Sequence, residues 1–299
     1  MKFYLKLLVI NLILSSILFA QNNNGFVLLK MDVDARAAAM AGTYTALATD
    51  ASASYYNPAG LNSSEGPTIV AMHNDWIWDI SHSFAAMQFY QGDHNFSLSF
   101  NYLQIPGIAI RGNVPSEDPS GTTEAFNLVA GLSYATTFDD WQFGGSLKYL
   151  FEKYYLSSAP GWAVDLGIRK EALFTGVDFG FVIQNLGKMS VLKNEASPLP
   201  VIIQTALAFK GPEFLSDKLL FTPGIQWVSK EQVYFGIGSE YQLMEYLTLR
   251  AGVKNGVDDV VWNFGAGINY NSFHFDYAYS PLEFDFGNPA NMFSVGISY

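Results

Sequence analysis

From Thr68 onward, hydrophobic and polar residues alternate with a period of two, in segments of about ten residues. Between 96 and 102, Phe96, Leu98, Phe100 and Tyr102 interleave with Ser97, Ser99 and Asn101. Trp262, Phe264, Ala266, Ile268 and Tyr270 alternate with Asn263, Gly265, Gly267 and Asn269. The last segment sets Phe293, Val295, Ile297 and Tyr299 against Ser294, Gly296 and Ser298. In a strand this period sends the two classes to opposite faces. The spacing predicts about fourteen strands, near 68–74, 80–90, 94–104, 123–136, 141–154, 161–170, 174–185, 200–210, 218–228, 232–242, 245–254, 259–269, 273–279 and 291–299.

The chemistry of the two faces decides the class. A soluble sandwich keeps its charged face toward water. Here the polar face is mostly Gly, Ser and Asn, with isolated charges such as Lys148, Asp165, Asp178, Glu240, Arg250 and Asp276. The apolar face carries aromatic residues toward the strand ends. Small and polar inside, apolar outside, is the inverted pattern of a transmembrane antiparallel β-barrel. The connections agree with an even-stranded barrel whose termini share one side. The long links near 105–122, 186–199 and 280–290 follow strands three, seven and thirteen, the outward ends. Short links at Gln91-Gly92-Asp93, Asp139-Asp140 and Asn271-Ser272 follow strands two, four and twelve. The link near 211–217 is longer than an inner turn requires, and the pattern does not explain it.

Residues 1–20 are a separate object. Lys2 and Lys6 precede an apolar run from Leu7 to Phe19, the layout of a secretory signal peptide with cleavage expected before Gln21, although Leu18 departs from the small-x-small rule. No cysteine occurs, which excludes a lipoprotein anchor, a disulfide framework and thiolate metal ligation. Without Lys2 and Lys6 the remaining 14 basic and 27 acidic residues give a net charge of −13, which repels nucleic acid.

Between this leader and the first strand lies "DARAAAMAGTYTALATDASASYYNPAGLN", rich in small residues. Asp34 can cap a helix over Ala35 to Met40, with Gly42 suited to its stop. Asp50 can open a second short turn, which Pro58 ends near Asn57. A barrel of about fourteen strands encloses more space than its wall side chains fill. Small-residue helices pack closely inside such a wall, so residues 21–66 are expected to form a hatch in the lumen of a barrel spanning 67–299. The alternative is a flexible linker of the same composition.

The run "ARAAAMAGTYTALATDASASYYNPAGL", closing on Asn57-Pro58-Ala59-Gly60, resembles the N-terminal signature of the PorV/PorQ family of the type IX secretion system. The late "FHFDYAYSPLEFDFGN" resembles the corresponding end of that family. The resemblance implies membership of the wider FadL-like superfamily, with fourteen strands, an N-terminal hatch carrying an Asn-Pro-Ala motif, and an outer-membrane location. It departs at Thr49, where an acidic residue is common. It further implies that a kink near Pro106-Gly107 opens a lateral portal; the plainer reading is a strand that ends there. Phe293 and the terminal Tyr299 resemble the signal read by the barrel-insertion machinery.

Catalytic chemistry is not legible. His73 and His82, near Asp75 and Asp79, flank one connection without a metal-ligand spacing. No serine sits in a nucleophile-elbow context. His274 beside Asp276 is explained by a hydrogen bond within the wall. No enzyme activity, cofactor or metal is expected. Two functions fit: a secretion-associated component holding partner proteins or cargo C-terminal domains at the cell surface, and a channel for hydrophobic small molecules. The resemblance favours the first. Outer-membrane lipid is the expected surrounding in both.

Overall fold

The computed structural model describes residues 24–63, 66, 68–75, 79–91, 94–112, 117–211, 218–255, 260–281 and 290–299. The signal-peptide reading and much of the links near 211–217 and 280–290 lie outside them. Fourteen antiparallel strands close a barrel. They are β1 (Thr68–Asp75), β2 (Ser81–Gln91), β3 (His94–Ile110), β4 (Gly121–Phe138), β5 (Trp141–Tyr154), β6 (Ser157–Phe174) and β7 (Val177–Met189). They continue with β8 (Ile202–Lys210), β9 (Leu219–Val228), β10 (Val233–Met244), β11 (Leu247–Asn255), β12 (Val260–Tyr270), β13 (Phe273–Ser280) and β14 (Ala290–Ser298). Each pairs with its neighbours in sequence, and β1 closes on β14 from Thr68↔Ser298 to Asp75↔Asn291. Closure is what lets strands cross lipid, because no edge is left with unpaired backbone groups.

The alternation resolves as the period-two pattern requires. Phe96, Leu98 and Phe100 point away from the lumen while Ser97 and Asn101 are buried within it. Phe264 is 48% exposed and its neighbour Asn263 only 3%. Trp262, Ile268, Tyr270 and Phe293 share the outer face with Phe264.

The wall is uneven in height. Strands β3 to β6 have 14 to 18 residues, whereas β1, β8, β11, β13 and β14 have eight or nine. Pairing of β3 with β2 stops at Gln104↔Ser81, and pairing of β7 with β8 stops at Gln184↔Ile202. A partial wall of β3 to β7 therefore rises above the rest at the end of the long connections. This corrects the expected link at 105–122. Strand β3 runs on to Ile110 and β4 begins at Gly121. Pro106 and Gly107 form a bulge between Ile105↔Ala125 and Ile108↔Thr123, with Gly107 at φ 69°. Proline lacks the ladder donor, so the strand steps over the pair and resumes. The expected link at 186–199 is also shorter, since β7 continues to Met189 and a small hairpin pairs Val191–Leu192 with Glu195–Ala196.

The strand phase can be tested directly. Phe264→Arg puts a charge toward lipid, at a cost of about 2–4 kcal/mol near the midplane. Asn263→Arg points to the lumen and should impair refolding into lipid vesicles far less. Equal impairment would reverse the assignment of faces.

Candidate functional site

The lumen is occupied by the chain's own N-terminal residues. Asn24 to Lys30 lie at the long-connection end. Asn24 donates to Glu231 (3.0 Å), Gly25 N–H donates to Pro198 C=O (3.0 Å), and Lys30 Nζ is 2.5 Å from Glu231. There a short 3₁₀ turn, Val27–Lys30, drives Phe26, Leu28 and Leu29 into an apolar chamber. Its walls are Leu103 of β3, Val129 of β4, Leu150 of β5, Ala159 and Ala163 of β6, and Met189 of β7, with Leu199 above.

The segment then descends toward the short-turn end. Helix α1 (Ala35–Ala39) is capped by Asp34, whose carboxylate accepts from Ala37 N–H (3.2 Å). It packs against β11 to β14. Ala41 and Gly42, both at positive φ, turn the chain back; Gly42 N–H closes on Ala37 C=O at 2.9 Å. Asp50 accepts from Ser52 N–H (2.8 Å) and opens α2 (Ala53–Tyr56). A second 3₁₀ turn, Pro58–Ser63, packs against β3 to β6. Tyr55 and Tyr56 tie the two arms, the first donating to Met31 C=O (2.7 Å) and the second accepting from Val33 N–H (2.9 Å).

Asn57 joins the segment to the wall. Its side-chain amide donates to Thr45 C=O (3.0 Å) and to Ile168 C=O of β6 (3.2 Å), and its oxygen accepts from Ala59 N–H (3.2 Å). Three of the four hydrogen-bonding directions of its side chain are used, one of them across to the barrel. The approach is possible because the wall is notched. A Cβ on Gly167 would lie 2.0 Å from Asn57 Oδ1, and one on Gly144 would lie 2.2 Å from Ala59 N. Gly60 meets Ala48 C=O as closely. The four residues Asn57, Pro58, Ala59 and Gly60 are all buried.

At the short-turn end the contacts are ionic. Arg36 makes a bidentate pair with Glu240 of β10 (2.8 and 3.0 Å), Glu240 holds Arg250 of β11 (2.7 Å), and Arg250 holds Asp276 of β13 (2.6 Å). Further around, Arg169 donates to Ala46 C=O (2.9 Å) and pairs with Glu171 (2.7 Å); higher on the wall, toward the chamber, Lys148 pairs with Asp165 (2.5 Å). The lumen charges expected to be isolated are therefore partnered. Arg36 and Arg169, which carry the wall-to-segment links, were not singled out in the sequence. A lone arginine inside an alanine run is a signal only when its partner, some two hundred positions away, is known. A cavity of about 420 Å³ lies here, lined by Asp34, Arg36, Asp50, Thr248, His274 and Asp276 among others. Burial, with Asp50 and Asp276 adding to it, raises the Asp34 carboxyl to about 7; Ala37 N–H and Arg36 offset this only in part.

The remaining sequence candidates fall elsewhere. Pro106 and Gly107 lie above the end of β2, so the β2–β3 ladder is intact beneath them. His73 points outward, with Ser83 and Asp75 (2.9 and 3.1 Å), whereas His82 is buried on the lumen side, so the two do not converge. His274 bonds Asn269 (2.9 Å) and Ser298 within the wall. Phe293 and Tyr299 are exposed on β14 and at its end. Among the described residues no group of three acidic or histidine side chains is placed to hold a metal.

This closed fourteen-stranded wall has the fold of several solved transporter and channel barrels. Solved structures with this architecture include the toluene transporter TodX of Pseudomonas putida, at TM-score 0.66 and 13% identity, covering 89% of this chain and 96% of that one. The toluene transporter TbuX of Ralstonia pickettii gives TM-score 0.66 and 14% identity over 93% and 99%. The CymD monoaromatic hydrocarbon channel gives 0.69 and 12% over 92% and 99%. No family model matches the chain, and no curated protein does.

Two predictions test how the segment is seated. Gly144→Ala forces Pro58 and Ala59 off the wall, so thermal unfolding should report a loss of about 1–3 kcal/mol with the barrel still closed. Asp34 takes up its proton more readily when seated than when free, its ordinary value being 3.8. Its contribution is therefore greatest at low pH and is lost as pH rises through about 7. Bilayer conductance should rise between about pH 4 and pH 7, and Asp34→Asn, which caps equally well without titrating, should flatten that rise.

Proposed function

We propose that this chain is an outer-membrane channel for hydrophobic small molecules, with residues 26–60 acting as its hatch. The observation that carries the reading is the apolar cluster that lines the long-connection end of the lumen. Phe26, Leu28 and Leu29 belong to it, and below it the segment is held by Asn57 and the Arg36–Glu240 pair. The space they occupy suits an apolar guest, since each side chain withdrawn exposes surface that water solvates poorly. A guest that takes their place offsets the cost of drawing the hatch aside. The fold relatives named for toluene and monoaromatic hydrocarbons support this reading over the secretion-associated one favoured by the N-terminal signature. In this reading residues 1–20 direct export, Phe293 and Tyr299 guide insertion, and the long-connection end faces outward.

Cells producing the chain should take up labelled toluene several times faster than cells without it, the excess saturating with concentration. Uptake indistinguishable between the two would reject the channel. Removing residues 26–60 should leave the wall closed but raise ion conductance across a planar bilayer. Asn57→Ala should do so in part, at a cost of about 1–3 kcal/mol for the wall carbonyl left unpaired. If the shortened and intact chains conduct alike, the segment is no hatch.

A further inference from the structure

On the lumen face of β1 to β3, beside the apolar chamber, three buried side chains hold polar atoms with no partner among the described residues. Asn74, His82 and Asn101 are 4%, 0% and 3% exposed. Asn74 lies directly opposite His82, and His82 Nε2 is 2.7 Å from Asn101 Oδ1. That contact leaves His82 Nδ1, Asn101 Nδ2 and Asn74 Oδ1 unpartnered. Buried polar atoms are nearly always paired, and each orphan disfavours the fold, so three together on one strip need a reason. Their surroundings supply it. Leu103 is the cross-strand partner of His82 and Val129 that of Asn101, and both belong to the cluster that encloses Phe26, Leu28 and Leu29. The strip is thus the polar edge of the chamber.

Its donors and acceptors define what would complete it. The contact to Asn101 Oδ1 assigns the proton to His82 Nε2, so Nδ1 is an acceptor. Asn74 Oδ1 is a second acceptor, and the Asn101 amide NH₂ is a donor. A hydroxyl group, with one proton to give to His82 Nδ1 or Asn74 Oδ1 and lone pairs to accept from Asn101 Nδ2, pairs two of the three atoms. A carboxylate only accepts and would face two lone pairs. Lys148, the wall cation near the chamber, is already held by Asp165 and Asn185. A plain hydrocarbon would leave all three atoms unpaired.

We infer that the chamber binds hydrophobic molecules carrying a neutral hydroxyl, of the alkylphenol class, with Asn101 donating to that hydroxyl and His82 or Asn74 accepting its proton. The inference rests on the channel reading and narrows its substrate class. The test is calorimetric titration of the purified full chain in detergent micelles with 4-butylphenol, butylbenzene and 4-butylbenzoate, micelles alone being subtracted. The phenol should bind at least about tenfold more tightly than butylbenzene although it is the less hydrophobic molecule, and the benzoate no more tightly than butylbenzene. In the double variant His82→Leu with Asn101→Leu the preference should vanish while butylbenzene still binds. Because the change removes orphaned polar atoms, the variant should unfold at no lower temperature than the parent; Asn74→Leu alone should weaken the preference in part. If butylbenzene binds as well as the phenol, or the double variant keeps the preference, the hydroxyl assignment is wrong and the channel reading stands. If none of the three binds, both fail.

Discussion

Closure of the wall against lipid is the constraint from which the other features follow. Each strand must find hydrogen bonds on both sides, and a closed ring of fourteen provides them. A ring that wide encloses more space than inward side chains can fill, so the lumen needs an occupant of its own. The occupant is polypeptide, and its backbone brings donors and acceptors that must also be satisfied in a confined space. This explains why the inward face is rich in glycine where the segment lies closest. At Gly144 and Gly167 the wall gives up side chains so that Pro58 and Ala59 can lie against it and Asn57 can reach the Ile168 carbonyl.

The two ends of the lumen use different physics to hold the same segment. Below, the links are ionic: Arg36, Glu240, Arg250 and Asp276 form a continuous chain from hatch to wall around a polar cavity. Above, Phe26, Leu28 and Leu29 pack among Leu103, Val129 and Leu150, beside the Lys30–Glu231 pair. Buried ion pairs return little net stability once desolvation is counted, but they fix one geometry. Apolar contacts are less directional, and a guest of similar shape can replace them. The arrangement is therefore specific where the segment must be seated and exchangeable where a hydrophobic molecule would enter.

Much of this was determined by the sequence alone. Period-two alternation assigns the residues of a regular strand to its two faces, because successive side chains point to opposite sides. The small, polar inner class and the aromatic outer class then select a lipid-facing barrel. The local turns of the N-terminal segment were legible for the same reason: Asp34, Gly42 and the Asn57–Pro58 break act within a few residues of themselves. What the tertiary structure decided is everything that depends on which residues meet. Alternation fixes a side chain's face but not its height or its neighbour across the lumen. Glu240 could not be read as the partner of Arg36, or His82 as that of Asn101. Strand β3 outlasts Pro106 because β4 and β5 rise beside it and resume the ladder, a support that propensity at the proline does not contain. The destination of Phe26 to Leu29 was equally hidden. Phe26, Val27, Leu28 and Leu29 look like any short hydrophobic run until the closed wall supplies the cluster that Phe26, Leu28 and Leu29 join.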